Sequence, residues 1–123
     1  MTVYEQDKTV RRRTATFGDS RNAWSALSGV TVQGYEIHHG QTAQHPALAA
    51  AGELARPVLP DGLGWSNTAG NVLGCYLHGV FEDPRALRAL YGADAPTLDS
   101  VFDGLADYID RHFEPGVLPG LIA

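Results

Sequence analysis

His78 is the side chain here best placed to move a proton. It closes an apolar run, Val72, Leu73, Cys75, Tyr76 and Leu77, that reads as one buried strand bounded by turn residues. Gly79 follows at once, and a glycine there lets the backbone turn sharply and leaves room beside the ring. Strand ends followed by small loops are where α/β enzymes hold their chemistry, which makes His78 the candidate general acid/base. On this stretch alone, a structural hydrogen-bonded histidine is the competing reading.

Two other arrangements meet objections. Cys75 and His78 stand three apart, so on a regular strand they point to opposite faces, and Cys75 becomes a small buried apolar residue rather than a nucleophile. A metal site from His38, His39, His45 and His78 is disfavoured. His38 and His39 are adjacent on a strand and cannot both point inward, and no HExxH or CxxC spacing is present.

The elements around His78 are legible in outline. Met1 to Phe17 reads as two short strands about the polar turn Glu5-Gln6-Asp7-Lys8, and Arg11-Arg12-Arg13 as a solvated strand or strand edge. Trp24 and Leu27 are expected to anchor a polar loop to the core. Val30 to His38 is rich in β-branched and aromatic residues. Alternation puts Val32, Gly34, Glu36 and His38 on one face, where Glu36 and His38 can pair, and Thr31, Gln33, Tyr35, Ile37 and His39 on the other. Gln41 to Ala55 suits a loop with a short helical turn, and Arg56 to Pro60 a short strand before an Asp61-Gly62 turn. Asp83-Pro84 opens a helix that Gly92 stops. Thr97 caps a second helix whose stripe, Leu98, Val101, Phe102, Leu105, Ile109 and Phe113, is expected to lie on the sheet as core.

The 123 residues suit a single domain. A net charge of −5, from 9 basic and 14 acidic residues, speaks against a nucleic-acid binder. No apolar run is long enough to span a bilayer and no signal peptide opens the chain, so no membrane partner and a cytoplasmic location are expected. One cysteine permits no internal disulfide.

Gly34-Tyr35-Glu36-Ile37-His38-His39-Gly40, followed by Gly74-Cys75-Tyr76-Leu77-His78-Gly79-Val80-Phe81, closely resembles the glutamine amidotransferase domain of the cobyric acid synthase family. Lys8-Thr9 upstream and Arg85 and Arg88 downstream fit the same pattern. The resemblance implies an α/β fold of the class I amidotransferase type, a mixed sheet with the C-terminal helices packed on it. It implies that residues 1–123 form the C-terminal portion of that domain. A cysteine attacks the carboxamide of glutamine, and His78 activates the thiol and protonates the departing ammonia. The nucleophile's G-x-C-x-G-like turn is absent, as is a P-loop, so the remainder of the domain and a synthetase domain are the expected partners. ATP and magnesium belong to that synthetase, which amidates adenosylcobyrinic a,c-diamide, and no cofactor or metal is expected on this chain. The chain alone is expected to be inactive. Where many class I enzymes carry a glutamate two residues after the histidine, this sequence has Val80. Glu36 is therefore the candidate to orient His78, with Tyr35 and His38 as substrate-side candidates. Alternatives are a cobyrinic acid a,c-diamide synthase, a glutaminase amidating cell-wall lipid precursors, and a non-catalytic binding module that kept the fold.

Overall fold

A computed structural model describes residues 1–121; Ile122 and Ala123, the last two residues of the expected domain, lie outside the described residues. The architecture is mixed α/β. Its centre is a three-stranded antiparallel sheet of β2 (Thr9–Thr16), β3 (Thr31–His38) and β8 (Leu77–His78), with β3 in the middle. β1 (Thr2–Val3) pairs with β4 (Gln41–Thr42), and the polar turn before β2 lies where the sequence put it. A third small sheet joins β5 (Arg56–Leu59), β6 (Gly64–Ser66) and β7 (Leu73–Cys75).

The register of β2 on β3 pairs Arg11 with Glu36, Arg13 with Gly34 and Ala15 with Val32. Directly opposed residues share a face, so this set, with His38 and Leu77, turns inward. Arg12, Tyr35, Gln33 and His78 turn to the other side. The core comprises Ala15, Phe17, Leu27, Val32, Val58, Leu59, Leu63, Leu77, Val80 and Ala86, and Trp24 packs against it. Gly34 is needed for a steric reason. A Cβ there would lie 2.4 Å from the His78 carbonyl oxygen, so only glycine lets β8 approach this closely.

Two expectations change. The run Val72–Leu77 is not one strand. Leu73–Cys75 belongs to the third sheet and Leu77–His78 to the central one. Tyr76 makes the crossing, its N–H donating to Leu63 O at 2.8 Å and its carbonyl accepting from Ile37 N at 3.3 Å. Both backbone groups are satisfied because they bond to different parts of the fold, the N–H to Leu63 just before β6 and the carbonyl to β3. The arginine run lies on the edge strand β2 as expected, with Arg11 and Arg12 exposed; alternation also carries Arg11 and the half-buried Arg13 to the buried Glu36.

The second change concerns the C-terminal helices. A short helix, α1 (Pro46–Ala50), precedes them. α2 (Pro84–Tyr91) starts at Asp83, is stopped by Gly92, and packs on β3 and the 3-10 turn Asn22–Leu27 with Ala86 fully buried. α3 (Leu98–His112) forms under a Thr97–Ser100 capping box, as its signals require. Its stripe is not core, however: Leu98, Val101, Phe102 and Leu105 are exposed, because none of the described residues covers that face. A short α4 (Val117–Leu121) follows.

Candidate functional site

His78 ends β8 with its side chain exposed. Gly79 turns the chain at φ +80°, no atom outside its two chain neighbours lies within 4 Å of where its Cβ would be, and an open groove borders His78 and Gly79, so the space expected beside the ring is open. His78 Nε2 lies 3.3 Å from the Ile37 carbonyl oxygen. With Nε2–H donating there, Nδ1 keeps the lone pair that a general base needs.

Tyr35 is the register partner of His78 and stands beside it. Arg12 donates from Nη2 to the Tyr35 hydroxyl at 2.9 Å, and its guanidinium sits 5.4 Å from the centre of the Tyr35 ring. Arg12, Gln33, Tyr35, His78, Gly79 and Asp83 border an open groove of about 430 Å³. The Arg triplet could not show in advance which arginine reaches this face. The register decides it for Arg12. Asp83 was legible only as a helix cap.

Glu36 and His38 occupy the opposite face. Glu36 is buried, and Arg11 donates to it through Nε at 2.7 Å and Nη2 at 3.3 Å. Arg13 Nε lies 3.6 Å away, and His38 Nε2 hydrogen-bonds Glu36 Oε1 at 2.8 Å, the pairing expected from alternation. Arg11, helped by His38 and Arg13, holds the Glu36 carboxyl below its usual range although burial works against it. His38 Nδ1 lies 2.7 Å from Gly40 O, so both ring nitrogens face acceptors, and a neutral ring can donate to only one. The His38 ring packs on Tyr76 at 4.7 Å.

The structure therefore separates the sequence candidates. Tyr35 and His78 come together; Glu36 and His38 come together on the far side. Glu36 does not orient His78, because Tyr35 is the residue opposite His78 and its neighbour Glu36 must point the other way. The group that contacts the His78 ring is a main-chain carbonyl, which no side-chain pattern can reveal.

Cys75 is half-buried, its Sγ lies 3.9 Å from Leu77 O, and burial pushes the thiol pKa up. It shares a shallow groove of about 260 Å³ with His78. Among the described residues no hydrogen bond joins the two side chains. The opposite-face reasoning from spacing does not apply, since the strand is broken at Tyr76. Burial and the raised pKa now speak against a nucleophilic role. No group of three or more His, Cys, Asp and Glu stands ready for a metal, and no helix is long and apolar enough to cross a membrane, among the described residues.

The family model of the CobB/CobQ-like glutamine amidotransferase domain matches residues 1–86. The chain belongs to that family. Among curated relatives of this amidotransferase chain are cobyric acid synthases of Polaromonas naphthalenivorans and of Polaromonas sp. (strain JS666), each 68% identical over 123 residues. These matches cover all of the chain and 25% and 24% of the two relatives. That of Variovorax paradoxus is 63% identical over 123 residues, all of the chain and 25% of the relative. The chain thus spans about a quarter of the length of these curated relatives. No solved structure matches it.

Proposed function

We propose that this chain carries the histidine half of the glutaminase site of a cobyric acid synthase. The observation that carries the reading is His78 itself, an exposed imidazole at a strand end with open space beside it, in a chain of the amidotransferase family.

The chemistry follows from the parts. A cysteine thiol supplied from outside this chain loses its proton to His78, and the sulfur attacks the carboxamide carbon of glutamine. The imidazolium then returns the proton to the departing nitrogen, and ammonia leaves as the C–N bond breaks. Water, deprotonated by the same ring, cleaves the glutamyl thioester to glutamate and free thiol. Ammonia passes to a synthetase domain, where ATP and magnesium would activate carboxylates of adenosylcobyrinic a,c-diamide. No residue of this chain is assigned to that step. Tyr35 and Arg12 border the space in which glutamine would sit. His38, on the far face, is too remote by register to contribute. A cytoplasmic setting suits this biosynthetic reading.

The test is glutamate release from glutamine. In the intact amidotransferase, His78→Asn should lower turnover by about 10² to 10⁴, the usual worth of a general acid/base. The isolated chain should show none. Full turnover in the variant, or Cys75-dependent turnover by the chain alone, would overturn the reading.

A further inference from the structure

The turn that presents His78 is pinned to β3 at two points. The first is the pairing of His78 with Tyr35. The second lies where β8 has already ended. There the Asp83 carboxylate accepts the main-chain N–H of Gln33, Oδ2 at 2.8 Å. Gln33 and Tyr35 are two positions apart on one strand, so both ends of the His78–Asp83 loop return to nearly the same place.

Between the pins the loop has little freedom. Gly79 makes the turn, Glu82 N–H donates to Gly79 O at 2.9 Å, and Val80 is buried in the core. Asp83 is itself buried, and all its lone-pair directions are used. Oδ1 accepts from Arg85 N at 2.9 Å and Arg85 Nε at 3.0 Å, and Oδ2 accepts a further bond from Arg85 Nη2 at 2.8 Å. A helix cap needs only the bond to Arg85 N. The bond to Gln33 is a long-range one that capping does not explain. It replaces the strand partner that β3 loses beyond His78, so a sheet amide is satisfied and α2 is tied to β3 by one group.

We propose that Asp83 is a positioning residue for His78, fixing the imidazole by latching the loop that follows it to the strand that carries Tyr35. Asp83 touches no reacting atom; it acts through the backbone of residues 78–83. The inference rests on the glutaminase reading only for its catalytic consequence. The latch itself is a property of the fold.

The test uses two readouts and three variants. Hydrogen exchange in the full chain reports the latch through the Gln33 amide and the amides of residues 78–83. Glutaminase kinetics in the intact amidotransferase report its consequence. Asp83→Ala should expose Gln33 to exchange, loosen residues 78–83, and lower kcat by about tenfold or more with KM for glutamine within about twofold, since small misplacements of a reacting group act on rate. Arg85→Ala removes the guanidinium but leaves the Gln33 bond, and should keep both Gln33 protection and kcat within about twofold. Asp83→Asn keeps an acceptor for Gln33 and should recover much of the loss.

Unchanged Gln33 protection in Asp83→Ala would overturn the proposal. So would equal losses of kcat in Asp83→Ala and Arg85→Ala, which would make Asp83 a cap and nothing more. If Asp83→Ala does not fold, Asp83→Ser, whose single hydroxyl can keep the cap on Arg85 N–H but cannot also reach Gln33, takes its place with the same expected losses, and wild-type Gln33 protection and kcat in that variant would overturn the proposal. A His78→Asn control with full turnover would sink the glutaminase reading instead, while Gln33 exchange would still test the latch.

Discussion

Tyr35 and His78 face each other across β3 and β8, so the histidine shares its side of the sheet with a tyrosine and an arginine rather than with Glu36. The acid expected to orient the ring has three partners of its own on the other side. Glu36 is thereby expected to serve the fold rather than the chemistry. Glu36→Gln should retain glutaminase activity in the intact amidotransferase within about twofold while costing about 1–3 kcal/mol of stability, from weakened bonds to Arg11 and His38. Parallel urea unfolding and glutamate-release assays separate the two effects. A large loss of kcat at unchanged stability would restore Glu36 to the site.

Gly34 makes that arrangement possible. Any side chain there meets the His78 carbonyl at 2.4 Å and the Leu77 side chain at 2.8 Å. Since the obstacle includes main chain, β8 must move. Gly34→Ala should cost about 1–3 kcal/mol, in the range of overpacked sites, and should displace His78 with it. The check is a denaturant midpoint alongside the His78 imidazole NMR signals, which should shift or broaden in the variant.

How far the sequence foretold this depends on the element. The faces of β3 were readable because alternation is a local rule, and the pairing of Glu36 with His38 followed from it. α2 and α3 were readable from caps and periodicity, and the short α4 was not. The crossing at Tyr76 was not, because an apolar run does not say which sheet each residue joins; that depends on Leu63 and Ile37, which are distant in sequence. The exposure of the α3 stripe was equally illegible, since periodicity shows that a face is apolar and not what covers it.

Two buried carboxylates make acid stability measurable. Arg11 holds Glu36 below its ordinary value of 4.5, and Arg85 holds Asp83 at about 2 against an ordinary 3.8. Between the folded and ordinary values the unfolded chain binds more protons, so stability rises with pH there. The contribution is complete above about pH 5 and is lost as pH falls toward about 2. Urea midpoints measured from pH 6 downward should decline through that window. The decline should be shallower in a Glu36→Gln, Asp83→Asn double variant. An equally steep decline in the double variant would place the acid sensitivity elsewhere.

The capping box of α3 is a local device with a local effect. Thr97 Oγ1 accepts the Ser100 N–H at 3.2 Å, and Ser100 Oγ accepts the Thr97 N–H at 2.9 Å. Thr97→Ala should cost the helix about 1 kcal/mol and fray its first turn. Because the α3 stripe buries nothing in the described core, exchange should rise at Ser100 and Val101, whose N–H groups bond to Thr97, while Val32 and Leu77 stay protected. Loss of protection at Val32 would show that α3 supports the sheet.

Cys75 should behave as a packing residue. Its thiol is half-buried, and burial raises its pKa above the ordinary 9.0, so little thiolate is present near neutral pH. The thiolate is the reactive form, and iodoacetamide at pH 7.5 should modify Cys75 about tenfold more slowly than a free thiol such as glutathione. Cys75→Ala should leave glutaminase turnover of the intact amidotransferase within about twofold, since the thiol contributes only a small apolar volume. Rapid alkylation slowed by His78→Asn would instead show that the two side chains communicate across the groove they share. In that case Cys75, not a cysteine elsewhere, would be the sulfur that His78 activates.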